Sequence, residues 1–229
     1  MNNPHPALFY GTSVSECPHV LVACMGKDFL PGTYESIQEA VKTATAQGIT
    51  VTTTAIHDLC ITPFHGLGAM RNIAILRAFE YSATHVLIID NDIKLSDPLT
   101  IVELVRADKL VVTPWFDQTP CEKGKGLWQL IQEPLPKPQQ GLVLLNWVAV
   151  NCILFDLTLF RLLGPRLFTD PMISNEEDYI FTYLRHYGVR LWQHTNVIVE
   201  MLRPPTKMWE VIPGGRLRNK PTSEEMSLI

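Results

Sequence analysis

Paired cysteines are missing from this chain. Its five, Cys17, Cys24, Cys60, Cys121 and Cys152, are scattered with no C-x-x-C and no metal-ligand spacing. That pattern excludes a disulfide framework and a thiolate zinc site, and reads as reduced thiols in a cytosolic setting. An excess of positive charge is missing too. The formal net charge is −4, which argues against a general nucleic-acid binder, because counterion release requires a basic surface, though it leaves room for a local basic patch. The chain lacks a long uninterrupted apolar run. Its most membrane-like stretch, "GLVLLNWVAVNCILFDLTLF" (141–160), contains Asn146, Asn151 and Asp156, and its β-branched alternation suits core strands better than a spanning helix. No basic segment followed by an apolar stretch opens the chain, so no signal peptide and a cytoplasmic location are expected. No internal repeat and no second domain stand out.

What is present is a core-forming composition: 229 residues, 46% hydrophobic and 18% charged, enough for one large α/β domain. The run "HVLVACM" (19–25) reads as a buried strand ending at Gly26, and 31–48 as a helix closed by Gly48. "ITVTTTAIHD" (49–58) is β-branched and reads as a second strand. A helix over 69–83 and the strand "HVLIID" (85–90) follow. This β-α-β-α-β order predicts a Rossmann-like α/β/α domain with a central, mostly parallel sheet. Further on come a helix (97–107), the strand "LVVTPWF" (110–116), a long polar segment (117–140), one or two strands within 142–156 and a short helix ending at Gly164. Helix 174–188 and strand 189–202 complete the series. Residues 1–18 read as a loose lead-in and 203–229 as an irregular tail, with the domain between them over 19–202.

In parallel sheets of this kind, ligands sit at the carboxyl ends of the strands. Met25-Gly26, Asp58 and Asp90-Asn91-Asp92 all fall at such ends. Asp90 and Asp92 can hold a hard divalent cation, which often takes only one or two protein oxygens when it also holds phosphates; a solvated turn uses the same residues. Arg71 can offer a bidentate phosphate contact or be an ordinary surface arginine. Asp58 can meet a nucleobase edge or simply finish its strand. Glu176, Glu177 and Asp178 open a helix, where acids compensate the macrodipole. Three in a row exceed that need, and one could act as general base towards a hydroxyl.

Taken together, "HVLVACM", "MRNIAILRAFEYSATHVLIIDNDI", "LVVTPWF", "ILFDLTLFRLLG" and "NEEDYIFTYLRHYGVRLWQHTNVIV" resemble the A-type nucleotide-sugar glycosyltransferases. The likeness is to the inverting family 2 group and related short enzymes of bacteria, phages and large DNA viruses, and it covers roughly residues 19–200, which would make 19–202 a catalytic domain. The resemblance implies a UDP-sugar donor, a Mn²⁺ or Mg²⁺ cofactor and a hydroxyl acceptor on a glycan, a lipid-linked sugar or a protein. It implies that Cys24, Met25 and Asp58 line the nucleotide base, that Arg71 touches the diphosphate or ribose, and that Asp90 and Asn91 contact ribose or sugar. Asp92 would bind the metal, with Asp90 beside it. Asp178 would be the base, with Glu177 orienting acceptor or sugar. A viral source would put the enzyme in the host cytoplasm.

Two departures from the family pattern stand in the sequence. Asn151 and Cys152 replace a glycine-rich turn, and the last strand carries Met201 where a metal-binding histidine is common, with Glu200 next to it. A thioether is a poor ligand for a hard cation, so Glu200 is the alternative donor, while His194 falls too early in its strand. Lys123, Lys125, Arg203 and Lys207 could neutralise a diphosphate on loop closure, and Trp115, Trp128 and Trp192 could stack on sugars. Two other classes are compatible: a nucleotide-sugar-binding module without turnover, and a sugar nucleotidyltransferase. The second usually shows a glycine-rich basic loop, which "ACMGKDFLPG" barely supplies.

Overall fold

Every residue of β1 (His19–Met25) after the first is buried, the pattern of a strand covered on both faces of a sheet. The computed structural model describes residues 17–26, 29–56, 67–117, 141–145, 148, 150–168, 176–202, 209–212 and 216–219, and it shows what covers that strand. β1 pairs in parallel with β2 (Thr50–Ile56) on one side and β3 (His85–Asp90) on the other. The connections run through α1 (Pro31–Ala46) and α2 (Leu67–Glu80).

The chain continues through β4 (Ile93–Leu95), α3 (Thr100–Arg106), β5 (Val111–Asp117), β6 (Leu142–Leu145) and β7 (Cys152–Asp156). Then come α4 (Thr158–Leu163), α5 (Glu176–His186) and β8 (Leu191–Met201). Eight strands form one sheet in the order β2-β1-β3-β7-β5-β8-β4, with β6 beside β8. β7 runs against both of its neighbours, whereas β5 and β8 are parallel. β4 and β6 both run against β8. The strands β2, β1, β3, β5 and β8 therefore share one direction, which makes this the expected α/β fold with a mostly parallel sheet.

Period-2 alternation divides the core between the two faces. Leu21, Ala23, Met25, Val86, Ile88, Ile153 and Phe155 pack towards α2, α4 and α5, with Phe155 edge-on to Phe160 and Phe168. Val20, Val22, Cys24, Leu87, Ile89, Cys152 and Leu154 pack towards α1 and α3 on the opposite face. Among the described residues no helix is long and apolar enough to cross a membrane.

Three features differ from the sequence expectation. β4 is a three-residue strand in a stretch read as a turn. The tail read as irregular contains an antiparallel hairpin, β9 (Trp209–Ile212) with β10 (Arg216–Asn219). β5 is not a plain strand: its register to β8 jumps from Pro114↔His194 to Trp115↔Ile198. Proline has no N–H to give to a ladder. Pairing with β7 stops after Val112, the Thr113 hydroxyl takes up the Cys152 carbonyl at 2.8 Å, and Gln193 Nε2 donates to the Pro114 carbonyl at 3.2 Å.

Candidate functional site at the tip of β3

The strand register puts Met25 level with Ile56 on one side and Asp90 on the other. The ends of β2, β1 and β3 therefore form one edge. Gly26 turns the chain there with φ +112°, a conformation that side chains disfavour, and its N–H donates to the Ile56 carbonyl at 3.0 Å. A Cβ on Gly26 would come within 2.9 Å of the Asn91 side chain. The β1–α1 turn is thus packed directly on the residue between the two aspartates.

Each backbone unit of the triplet is held by a different element. The Asp90 N–H donates to the Asn151 carbonyl at the start of β7, 2.8 Å away. The Asn91 carbonyl accepts from the Leu30 N–H just before α1, at 3.2 Å, and the Asp92 carbonyl accepts from Leu202 N–H just after β8, at 2.7 Å. Three successive residues therefore have three anchors far apart in sequence. All three residues are only partly buried, although Oδ1 of Asp90 is itself buried, so the triplet stands on a fixed backbone at the edge of the sheet. Such preorganisation is what a charge-binding site requires.

Arg71 lies near the start of α2, where the sequence reading placed it. Its side chain is 1% exposed. Nη2 donates to the Val150 carbonyl at 3.1 Å, and the guanidinium lies over the Phe168 ring with 5.8 Å to the centroid. Sequence reasoning missed its neighbour. Asn72 Nδ2 donates to the Phe168 carbonyl at 2.6 Å while its Oδ1 accepts from the Phe168 N–H at 3.1 Å. The "RN" pair is a recognisable signal, but nothing in the sequence says what Asn72 holds.

Cys24 and Met25 are packed into opposite faces of the core, so they reach a ligand at the tip through backbone more readily than through side chain. Burial pushes the Cys24 thiol up to about 12. Burial raises Cys152 further, with smaller contributions from the neighbouring Asp90 charge and Cys24. Glu200 pairs across strands with Lys94. Its carboxylate accepts from Lys94 Nζ and from Ser96 Oγ, both at 3.1 Å. Both of its oxygens are thus engaged. Met201 stands opposite Ile93, next to the triplet.

Trp192 packs against the α1/α3 face and carries Lys109 Nζ at 5.6 Å from its ring centroid, a structural environment. Glu177 and Asp178 fall in the first turn of α5; their side chains lie outside the described structure. So do Asp58, the segment 118–140 with Lys123, Lys125 and Trp128, and Arg203 and Lys207.

Among the described residues no cluster of three or more His, Cys, Asp or Glu is placed to hold a metal ion. The chemistry of Asp90 and Asp92 is nonetheless that of oxygen donors suited to a hard cation, which can take a minority of its ligands from protein. Asp92 and Asp90 are the residues that would hold Mn²⁺ or Mg²⁺.

No protein-family model matches this chain, and no curated protein matches its sequence. Among solved structures it is similar to GalNAc-T7 with UDP, GalNAc and Mn²⁺, at a TM-score of 0.56 and 12% identity, over 82% of this chain and 43% of that one. This chain thus spans less than half of that enzyme's length. It is also similar to a glycosyltransferase involved in the glycosylation of the major capsid of PBCV-1 (TM-score 0.48, 11% identity, 82% of this chain and 94% of that one). A third similar structure is A197 from STIV (TM-score 0.48, 10% identity, 90% and 95%). The first of these carries the fold assignment: the fold is that of the A-type glycosyltransferases.

Proposed function

We propose that this protein is a glycosyltransferase that moves a sugar from a nucleotide-diphosphate donor, a UDP-sugar, to a hydroxyl on a glycan, a lipid-linked sugar or a protein. The observation that carries the reading is the Asp90-Asn91-Asp92 tip in this fold, with each backbone unit separately anchored and Gly26 packed on Asn91. The nucleotide lies along the β1–β3 edge, where Met25 and Gly26 offer backbone and Asp58 a base contact. Asp90 and Asn91 contact ribose or sugar. Asp92, with Asp90, holds the divalent cation. When bound, that ion supplies positive charge to the departing diphosphate.

The chain's own residues do the rest. In the proposed inverting step the acceptor oxygen forms a bond to the anomeric carbon as the bond from that carbon to the diphosphate oxygen breaks. The acceptor proton passes to the Asp178 carboxylate, which acts as general base, and UDP leaves with the bonding electron pair. Glu177 orients the acceptor or sugar. A second reading, binding without turnover, draws on Met201 beside the triplet and on the Lys94 partner of Glu200.

Release of UDP from UDP-glucose, UDP-galactose and UDP-N-acetylgalactosamine with MnCl₂ tests the proposal. Wild type is expected to release UDP from one of these donors. Asp178→Asn is expected to lower that release by about 100-fold or more with UDP affinity unchanged. Tight UDP binding without release from any donor selects the binding module. Equal release by Asp178→Asn removes Asp178 as the base.

A further inference from the structure

The buried Arg71 and the half-buried Asn72 beside it have no part in the chemistry above. We infer that Asn72, backed by Arg71, is a positioning residue: it fixes Phe168 in the core that α5 packs into, and so sets α5, with the acid turn that opens it, relative to the Asp90–Asp92 tip. The inference rests on the glycosyltransferase reading for what the acid turn does, and on geometry alone for what Asn72 holds.

Asn72 grips both backbone groups of Phe168, one 2.6 Å from Nδ2 and the other 3.1 Å from Oδ1. A side-chain amide is suited to this, since it presents a donor and an acceptor side by side. Phe168 is followed by residues 169–175 and then by Glu176, the first residue of α5. Its ring belongs to the same core cluster as Ile180, Phe181 and Leu184, the buried face of α5. Holding Phe168 therefore constrains α5 through the core they share. Arg71 works in the same place. Its planar group covers the Phe168 ring and donates to the Val150 carbonyl, and the next carbonyl, that of Asn151, receives the Asp90 N–H. One helical turn of α2 thus connects the core that α5 packs into with the strand tip that carries the proposed metal ligands. The two sites belong to segments far apart in sequence, and displacing a reacting group by about 1 Å can cost about 100-fold in rate.

The test uses the full chain with Asn72→Asp, which keeps the side chain's size but replaces the donor to Phe168 by a carboxylate oxygen facing that carbonyl. Arg71→Lys, which keeps the charge and loses the planar fork, is the second variant should the first not fold. Three readouts are taken: UDP affinity with MnCl₂, kcat and KM for UDP release from the donor that wild type uses, and amide hydrogen exchange read by mass spectrometry. UDP affinity and donor KM are expected to stay within about threefold of wild type. The expected loss in kcat, given the price of misplacement, is about tenfold to 100-fold, and peptides from 165–186 should exchange faster while β1 and β3 peptides do not change. Unaltered exchange over 165–186 overturns the inference, as does faster exchange there with kcat unchanged. A uniform rise in exchange also overturns it, since that reports loss of overall stability. If wild type binds no UDP and releases none, the glycosyltransferase reading fails. The exchange pattern then decides by itself whether Asn72 holds the approach to α5.

Discussion

Gly26 leaves no room for a side chain against Asn91. A Cβ there would lie 2.9 Å from the Asn91 side chain, on a backbone with φ +112°. Alanine at this position combines backbone strain with a clash at the residue between the two aspartates. Gly26→Ala is expected to lower stability by more than about 1 kcal/mol and to weaken UDP binding as Asn91 shifts. Urea unfolding and UDP titration of the same preparation check both effects.

The Lys94–Glu200 pair sits at a partly exposed edge, with side chains 40% and 32% exposed. Such pairs contribute about 0–1 kcal/mol. Glu200→Gln is therefore expected to leave the melting temperature nearly unchanged. Because Glu200 is already held by Lys94 and Ser96, the same substitution is expected to leave Mn²⁺-dependent UDP affinity within about threefold, against RT ln 3 of well under 1 kcal/mol. A large loss of affinity would show that Glu200 leaves Lys94 for the ion.

Phe155 is fully buried, with Phe160 and Phe168 edge-on at 5.4 and 6.0 Å. Phe155→Ala is expected to cost about 3–5 kcal/mol, read as a lower denaturant midpoint. It removes one wall of the pocket that Phe168 occupies, so it also tests how far the approach to α5 depends on the core.

His85 gives the fold a pH dependence of defined sign. Burial lowers its affinity for a proton, outweighing Asp156 and Asp108, whose charges act the other way. The folded value lies below the unfolded value of about 6.5, so the unfolded state binds the proton more readily. The stability contributed is fully present above that unfolded value and is lost as the pH falls below it. The melting temperature is expected to fall between pH 7 and pH 5, and to fall less in His85→Gln. An identical fall in the two proteins contradicts the assignment.

Much of this architecture is legible from local pattern. Strands buried on both faces, such as His19–Met25 and His85–Asp90, appear as unbroken aliphatic runs, and the polar residues that end them mark one edge once the strands are known to be parallel. Long-range partners are a different matter. Arg71 meets Val150, Asn72 meets Phe168 and Glu200 meets Lys94 across 79, 96 and 106 residues, and no local periodicity encodes such pairings. The burial of Arg71 and its bond to Val150 are likewise invisible in the local sequence. The irregularity of β5 carried a signal in Pro114, a residue unsuited to the middle of a sheet. The hairpin of β9 and β10 was signalled as well, by Pro213-Gly214-Gly215 after the short apolar run Trp209–Ile212. The prolines and charges around it hid that pattern.

The most direct test of the account is calorimetric titration of UDP, with and without MnCl₂, into wild type and Asp92→Ala. The account predicts micromolar binding that requires Mn²⁺ in wild type and is absent in the variant. No binding of UDP, GDP or dTDP to wild type under either condition would contradict it, leaving Asp90-Asn91-Asp92 as a well-anchored strand end.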